Sequence, residues 1–165
     1  MTNIVVKKPS KCSKSELDSF DALVRKGGEV TGEGLRDRIK KAKWLVFLFE
    51  SDKTLAGVAA LKEPTVSYKK KVFKKAGSQE DPDEYTFEAG WIYVEKQFQG
   101  RKYSRPLLEA VLKLAGEKQV YATTRENNER MQRTNLHYGL KQSGHSYASE
   151  EGNYNLILYT RGSPQ

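Results

Sequence analysis

Cysteine is nearly absent. Cys12 stands alone in 165 residues, so no internal disulfide can form, and a reducing, cytoplasmic setting is expected. Histidine is almost as scarce. His137 and His145 have no metal-ligand spacing to each other or to cysteine, so no metal site is expected. No apolar run approaches the roughly 20 residues that a membrane span needs; the longest, Trp44–Phe49, has the length of a strand. The opening "MTNIVVKKPSKCSK" lacks the apolar core of a secretory signal. No nucleophile-elbow motif supports a Ser/His/Asp hydrolase, and Cys12 has no evident base beside it to make it an acyl-carrying nucleophile. There is no internal repeat, and residues 1–165 are expected to form one domain of length sufficient for a real core.

What the chain has in excess is positive charge. Lys and Arg number 29 against 21 Asp and Glu, a net +8, which favours an anionic partner without naming it. One concentration is "SYKKKVFKKAG", where Lys69, Lys70, Lys71, Lys74 and Lys75 alternate with Tyr68, Val72 and Phe73. Basic residues among aromatics suit nucleic acid. The favoured reading is a solvated helix face anchored by Val72 and Phe73.

Periodicity sets the order of elements. "IVV" near the start reads as a strand, and Ser13 with Glu16 forms a capping box for a helix that Lys26–Gly28 stops. Thr31 opens a shorter helix with Leu35 and Ile39 buried. Trp44–Glu50 and Leu55–Lys62 form a hairpin. Residues 63–84 read as a short helix or loop and a flexible connection. Tyr85–Val94 is a central strand, followed by a helix to Gly116 and a strand at Gln119–Arg125. A helix from Asn127 to Tyr138 comes next, with Met131 and Leu136 inward, and then two closing strands in "SGHSYAS" and "NYNLILYTR". The expected class is α/β, with a mixed sheet flanked by about four helices.

The chemistry concentrates where the central strand meets its helix, in "VEKQFQGRKYSRPLLEAVL". Ser104 is placed to cap that helix and Pro106 falls in its first turn. Free N–H groups at a helix start carry the positive end of the dipole, and Arg101, Lys102 and Arg105 add cations. A pyrophosphate suits this junction; an ordinary β–α turn with solvated basic residues is the alternative.

From about residue 44 to 160 the chain resembles the GNAT superfamily of CoA-dependent N-acyltransferases. The family loop reads Gln/Arg-x-x-Gly-x-Gly/Ala between a strand and a helix, and the matching run here is Gln99-Gly100-Arg101-Lys102-Tyr103-Ser104. Lys102 stands in place of the first glycine and Ser104 in place of the second small residue. Asn128, Met131, Gly139 and Leu140 match the family's next helix.

The resemblance implies a mostly antiparallel sheet with a splayed parallel pair. It implies acetyl-CoA as donor, with its arm along the backbone of Ile92, Tyr93 and Val94, its pyrophosphate on Gln99 to Arg105, and Asn128 ordering it. It also implies direct transfer to an amine, with an oxyanion donor near Val94 and Glu88 as base. A carboxylate among Phe87, Ala89 and Gly90 would have a raised pKa, whereas on a solvated face or beside a lysine it would be inert. Strand alternation does not choose between these. Where the family has a tyrosine to protonate the departing thiolate, this chain has Asn135, which can hydrogen-bond the sulfur but not protonate it.

The implied partner is an amine-bearing acceptor, small molecule or protein, for a monomer or homodimer with no membrane association. The alternative is a GNAT-like scaffold that has lost catalysis and binds nucleic acid or an acidic protein through Lys69–Lys75.

Overall fold

The computed structural model describes residues 1–28 and 32–162. Among these residues there are five α-helices and eight strands, in two compact units that share one strand. The expected helix start at Thr31 lies outside the described residues.

The first unit comprises residues 1–62 and 89–114. It holds β1 (Asn3–Lys7), α1 (Lys14–Gly27), α2 (Leu35–Lys41), β2 (Trp44–Phe49), β3 (Leu55–Lys62), most of β4 (Phe87–Val94) and α4 (Ser104–Ala115). β1 pairs antiparallel with β2, Asn3 opposite Phe49, and β2 pairs antiparallel with β3, Trp44 opposite Leu61. The capping box of α1 is present: the Glu16 amide donates to Ser13 Oγ at 3.1 Å and the Ser13 amide to Glu16 Oε1 at 2.8 Å.

Helical spacing puts Leu17, Phe20, Leu23 and Val24 on one face of α1, where they meet Leu35, Ile39, Leu45, Phe47 and Val58 in one core. Asp21 is buried beside it, and a buried carboxylate needs partners. Arg25 donates to one oxygen and Arg36 Nε to the other at 3.1 Å, while Arg36 Nη2 reaches Asp18 at 2.6 Å.

Two features of this unit shape the junction between β4 and α4. The β2–β3 register jumps from Leu48 opposite Gly57 to Phe49 opposite Leu55, a bulge at Ala56, whose carbonyl accepts from the Glu95 amide at 2.8 Å. At Gly57 a Cβ would stand 3.0 Å from both the Tyr93 carbonyl oxygen and Leu107 Cδ1, so a side chain here would push β4 and α4 away from β3 by a few tenths of an ångström.

The second unit comprises residues 63–88 and 115–165. It holds α3 (Val66–Ala76), the start of β4, β5 (Val120–Arg125), α5 (Glu129–His137), β6 (Lys141–Gln142), β7 (Tyr147–Ala148) and β8 (Asn155–Arg161). β4 enters parallel to β5, with Phe87 beside Val120 and Glu88 beside Tyr121. β5 runs antiparallel to β8, and the short β6 and β7 pair with different parts of β8. Val72, Phe73, Ala76, Tyr85, Tyr121 and Leu158 form the core. The sheet is thus mostly antiparallel with one parallel pair, as expected.

The lysine-rich segment is a helix, α3, as its favoured reading has it, capped by Thr65 Oγ1 on the Tyr68 amide at 3.2 Å. Three expectations need correction. "SGHSYAS" contributes only Tyr147–Ala148, because Gly144 at φ 78° turns the chain out of an extended path. Lys141–Gln142 is a strand that periodicity does not reveal. Leu136 is 58% exposed, while Thr134 and Asn135 are buried; the inward stripe runs Met131, Thr134, Asn135, and Leu136 lies about 100° further round the helix.

Candidate functional site

Glu88 sits at the start of β4 and is only 4% exposed, which excludes the solvated-face reading. Its neighbour across the parallel ladder is Tyr121, fully buried. Burial, and after it the charge of Glu88, pushes the Tyr121 and Tyr147 phenols well above their ordinary range. Both hydroxyls are buried without a hydrogen-bond partner among the described residues. The carboxylate therefore has two protonated phenols in its electrostatic neighbourhood. Sequence reasoning misses both, since Tyr121 and Tyr147 come from separate strands and share no spacing with Glu88.

Further along β4, Trp91 has φ 53°, a left-handed residue inside a strand. Its ring meets Phe20 edge-on at 6.1 Å and carries Lys62 Nζ over its face at 4.3 Å. The strict alternation read from sequence therefore breaks at Trp91. Ile92, Tyr93 and Val94 come next, each half-buried, and the Gln99 side chain donates to the Val94 carbonyl at 2.9 Å. Gln99 thus closes the loop onto the strand that precedes it.

The loop itself carries two left-handed residues. Gly100 has φ 93°, and nothing lies within 4 Å of where a Cβ would stand, so its backbone is open to an incoming group. Lys102 has φ 62°, exposed, at the position where the resemblance calls for glycine. The departure in sequence is not a departure in shape: the lysine adopts the backbone a glycine would. Arg105 donates its amide to the Lys102 carbonyl at 3.1 Å and Leu107 to that of Tyr103 at 3.4 Å as α4 begins. Ser104 is the first helical residue, not the residue before it, so its place as the cap is corrected by one position. Leu107, Leu108 and Val111 are fully buried.

Open backbone at Gly100, the helix start and the cations Arg101, Lys102 and Arg105 fit a pyrophosphate.

Asn128 caps α5, its Oδ1 accepting from the Met131 amide at 3.1 Å. Asn135 is 0% exposed and its Nδ2 donates to Thr124 Oγ1 at 2.9 Å, fastening α5 to β5; its Oδ1 is buried without a hydrogen-bond partner among the described residues. The Cys12 thiol is pushed up by burial, away from the thiolate a nucleophile needs. Of the five lysines of α3, Lys69 is buried and donates to the Tyr85 carbonyl at 2.9 Å, while Lys71 and Lys75 pair with Glu150 at 2.7 and 2.6 Å. Three of the five are therefore engaged within the chain. Among the described residues no three His, Cys, Asp or Glu side chains converge as a metal site, and no helix is long and apolar enough to cross a membrane.

Solved structures share this fold at low identity. An acyl-CoA N-acyltransferase from Pseudomonas aeruginosa aligns over 98% of this chain and 100% of its own, with TM-score 0.73 and 14% identity. A GNAT-family acetyltransferase from Streptococcus agalactiae aligns over 98% and 96%, with TM-score 0.69 and 16% identity. The yncA protein of Salmonella typhimurium, solved with its cofactor acetyl-CoA, aligns over 99% and 95%, with TM-score 0.67 and 12% identity. No curated protein sequence matches. The family pattern itself matches residues 17–136, which takes in β4, the loop after it and α4, and the chain belongs to the acetyltransferase (GNAT) family.

Proposed function

We propose that the chain moves an acetyl group from acetyl-CoA to an amine of an acceptor by direct transfer. The observation that carries this reading is the buried Glu88 on the same strand that runs into the loop of Gly100 and Lys102. An ammonium has no lone pair, so the acceptor must first lose a proton, and Glu88 is the group that takes it. The backbone of Ile92, Tyr93 and Val94 lies along the donor's arm, and an N–H near Val94 stabilises negative charge on the carbonyl oxygen. Gln99, Gly100, Arg101, Lys102, Tyr103, Ser104 and Arg105 hold or shape the pyrophosphate site, and Asn128 orders the donor through α5. The nitrogen–carbon bond forms, the carbon–sulfur bond breaks, and solvent supplies the proton to the departing thiolate, while Asn135, fully buried, fastens α5 to β5 through Thr124. The reaction takes place in the cytoplasm, by this reading.

Calorimetric titration with acetyl-CoA, with desulfo-CoA and ADP as controls, tests the donor. A micromolar dissociation constant is expected. No heat and no thermal shift at millimolar ligand would overturn the reading. With a panel of amines, Glu88→Gln should lower kcat by about 10²–10⁴-fold while leaving acetyl-CoA affinity unchanged. Full activity in that variant would remove Glu88 from the mechanism.

A further inference from the structure

Lys102 is held in a left-handed conformation that any residue with a Cβ disfavours, and it is flanked on both sides by residues fastened to one carboxylate. Arg101 Nη1 lies 3.4 Å from Glu50 Oε1, and the Tyr103 hydroxyl donates to the same oxygen. Glu50 is itself fixed. Its amide donates to the Thr54 carbonyl at 2.8 Å, its carbonyl accepts from the Lys53 amide at 2.9 Å, and its side chain is only 15% exposed. Phe98 supports the same pair, with the Arg101 guanidinium 5.2 Å from its ring centroid and the Tyr103 ring 6.4 Å away.

By charge alone a carboxylate beside an anion site is unfavourable, so its position there calls for another role. We propose that Glu50 is a positioning residue for the cofactor loop: by gripping Arg101 and Tyr103 it holds Lys102 left-handed, so that the loop keeps the shape glycine would otherwise supply. The inference rests on the proposed function only in taking the loop's ligand to be the donor's pyrophosphate.

The test is a double-mutant cycle read two ways. In the ligand-free chain, Glu50→Ala should speed hydrogen exchange at the Arg105 and Leu107 amides about tenfold, because their acceptors are the Lys102 and Tyr103 carbonyls. In a Lys102→Gly background the same substitution should change exchange by less than about twofold, since glycine needs no restraint. Calorimetry should agree: E50A weakens acetyl-CoA binding about fivefold relative to the wild-type chain with kcat at saturating donor retained, whereas E50A/K102G binds within about twofold of K102G, whatever the loss of the Lys102 cation itself costs. E50Q, which keeps an acceptor for Tyr103, should fall between. Y103F should reproduce part of the effect, and it carries the test alone should E50A not fold.

Equal effects in both backgrounds would overturn the proposal, as would tighter binding by E50A, the mark of simple repulsion. If the wild-type chain binds no acetyl-CoA, the donor assignment falls while hydrogen exchange still decides whether Glu50 restrains the loop.

Discussion

Lys102 offers a prediction in which the sign of a stability difference decides the argument. Lys102→Ala and Lys102→Gly remove the same charge from the same exposed position and differ only in what the backbone at φ 62° requires. A residue with a Cβ in that conformation costs about 1–2 kcal/mol. Against this, glycine loses more conformational entropy on folding, roughly 0.5–1 kcal/mol relative to alanine. The difference favours glycine by about 0.75 kcal/mol at the centre of these ranges, with extremes of roughly 0 and 1.5. With a urea slope of about 2 kcal/mol/M, the K102G midpoint should lie roughly 0.4 M above that of K102A. Paired urea titrations monitored by tryptophan fluorescence would measure it. At an ordinary loop position with negative φ only the entropy difference remains and the order reverses. K102A exceeding K102G would therefore refute the left-handed assignment, and with it the claim that the lysine copies the shape of a glycine.

Three further outcomes are expected from particular contacts. Gly57→Ala would set a Cβ 3.0 Å from the Tyr93 carbonyl, a backbone atom that cannot turn aside; a loss of about 1–3 kcal/mol is expected in denaturant titration. Asn135→Ala removes the buried side-chain anchor of α5 to Thr124, so it should cost about 1–3 kcal/mol and lower Tm; retained kcat per folded molecule would assign Asn135 to structure and not to the thiolate. The Tyr85 phenol is pushed up to about 12 by burial and by its hydrogen bond to Glu80. The folded chain keeps this proton where the unfolded chain releases it near 10, so the stabilisation is complete below pH 10 and is lost as the pH rises toward 12. Urea midpoints should fall across that window, and Tyr85→Phe should flatten part of the fall; an unchanged slope in the variant would mean the phenol does not titrate differently in the two states.

The elements that could be read from sequence are those in which local chemistry and tertiary packing agree. The Ser13–Glu16 box specifies the start of α1 by hydrogen bonds made within four residues. The buried stripe of α4 needs only helical spacing, and the Leu55–Lys62 strand lies between turn residues that admit little else. The lysine-rich α3 is harder because its apolar stripe is thin, and its end is set by Gly77 at φ 64°. Leu136 misleads because hydrophobicity alone places it inward, whereas the hydrogen bond of Asn135 to Thr124 turns the helix the other way. Glu88 can be named as a candidate from sequence, but its burial cannot. Burial depends on the parallel partner Tyr121, more than thirty residues away, and no local pattern in Phe87–Val94 encodes that partner.

The features beyond any local reading have a common physical origin. Lys53, Trp91 and Lys102 are the non-glycine residues with positive φ among those described, and each is restrained by groups distant from it or outside its own side chain. Lys53 is fixed by the turn that returns its amide to the Glu50 carbonyl, with Asp52 accepting from the Thr54 amide at 2.9 Å. Trp91 is fixed by Phe20 on one side and Lys62 on the other. Lys102 is fixed through both neighbours by Glu50, which is anchored in the Lys53 turn. Two of the three strained residues therefore depend on one glutamate, which is unremarkable in sequence because nothing within reach of it along the chain explains why it is there. A strained backbone persists only where its surroundings over-determine it. The candidate site is legible where it obeys the family pattern, and illegible where contacts between the end of β2 and the loop, 51 residues apart in sequence, replace a glycine the pattern expects.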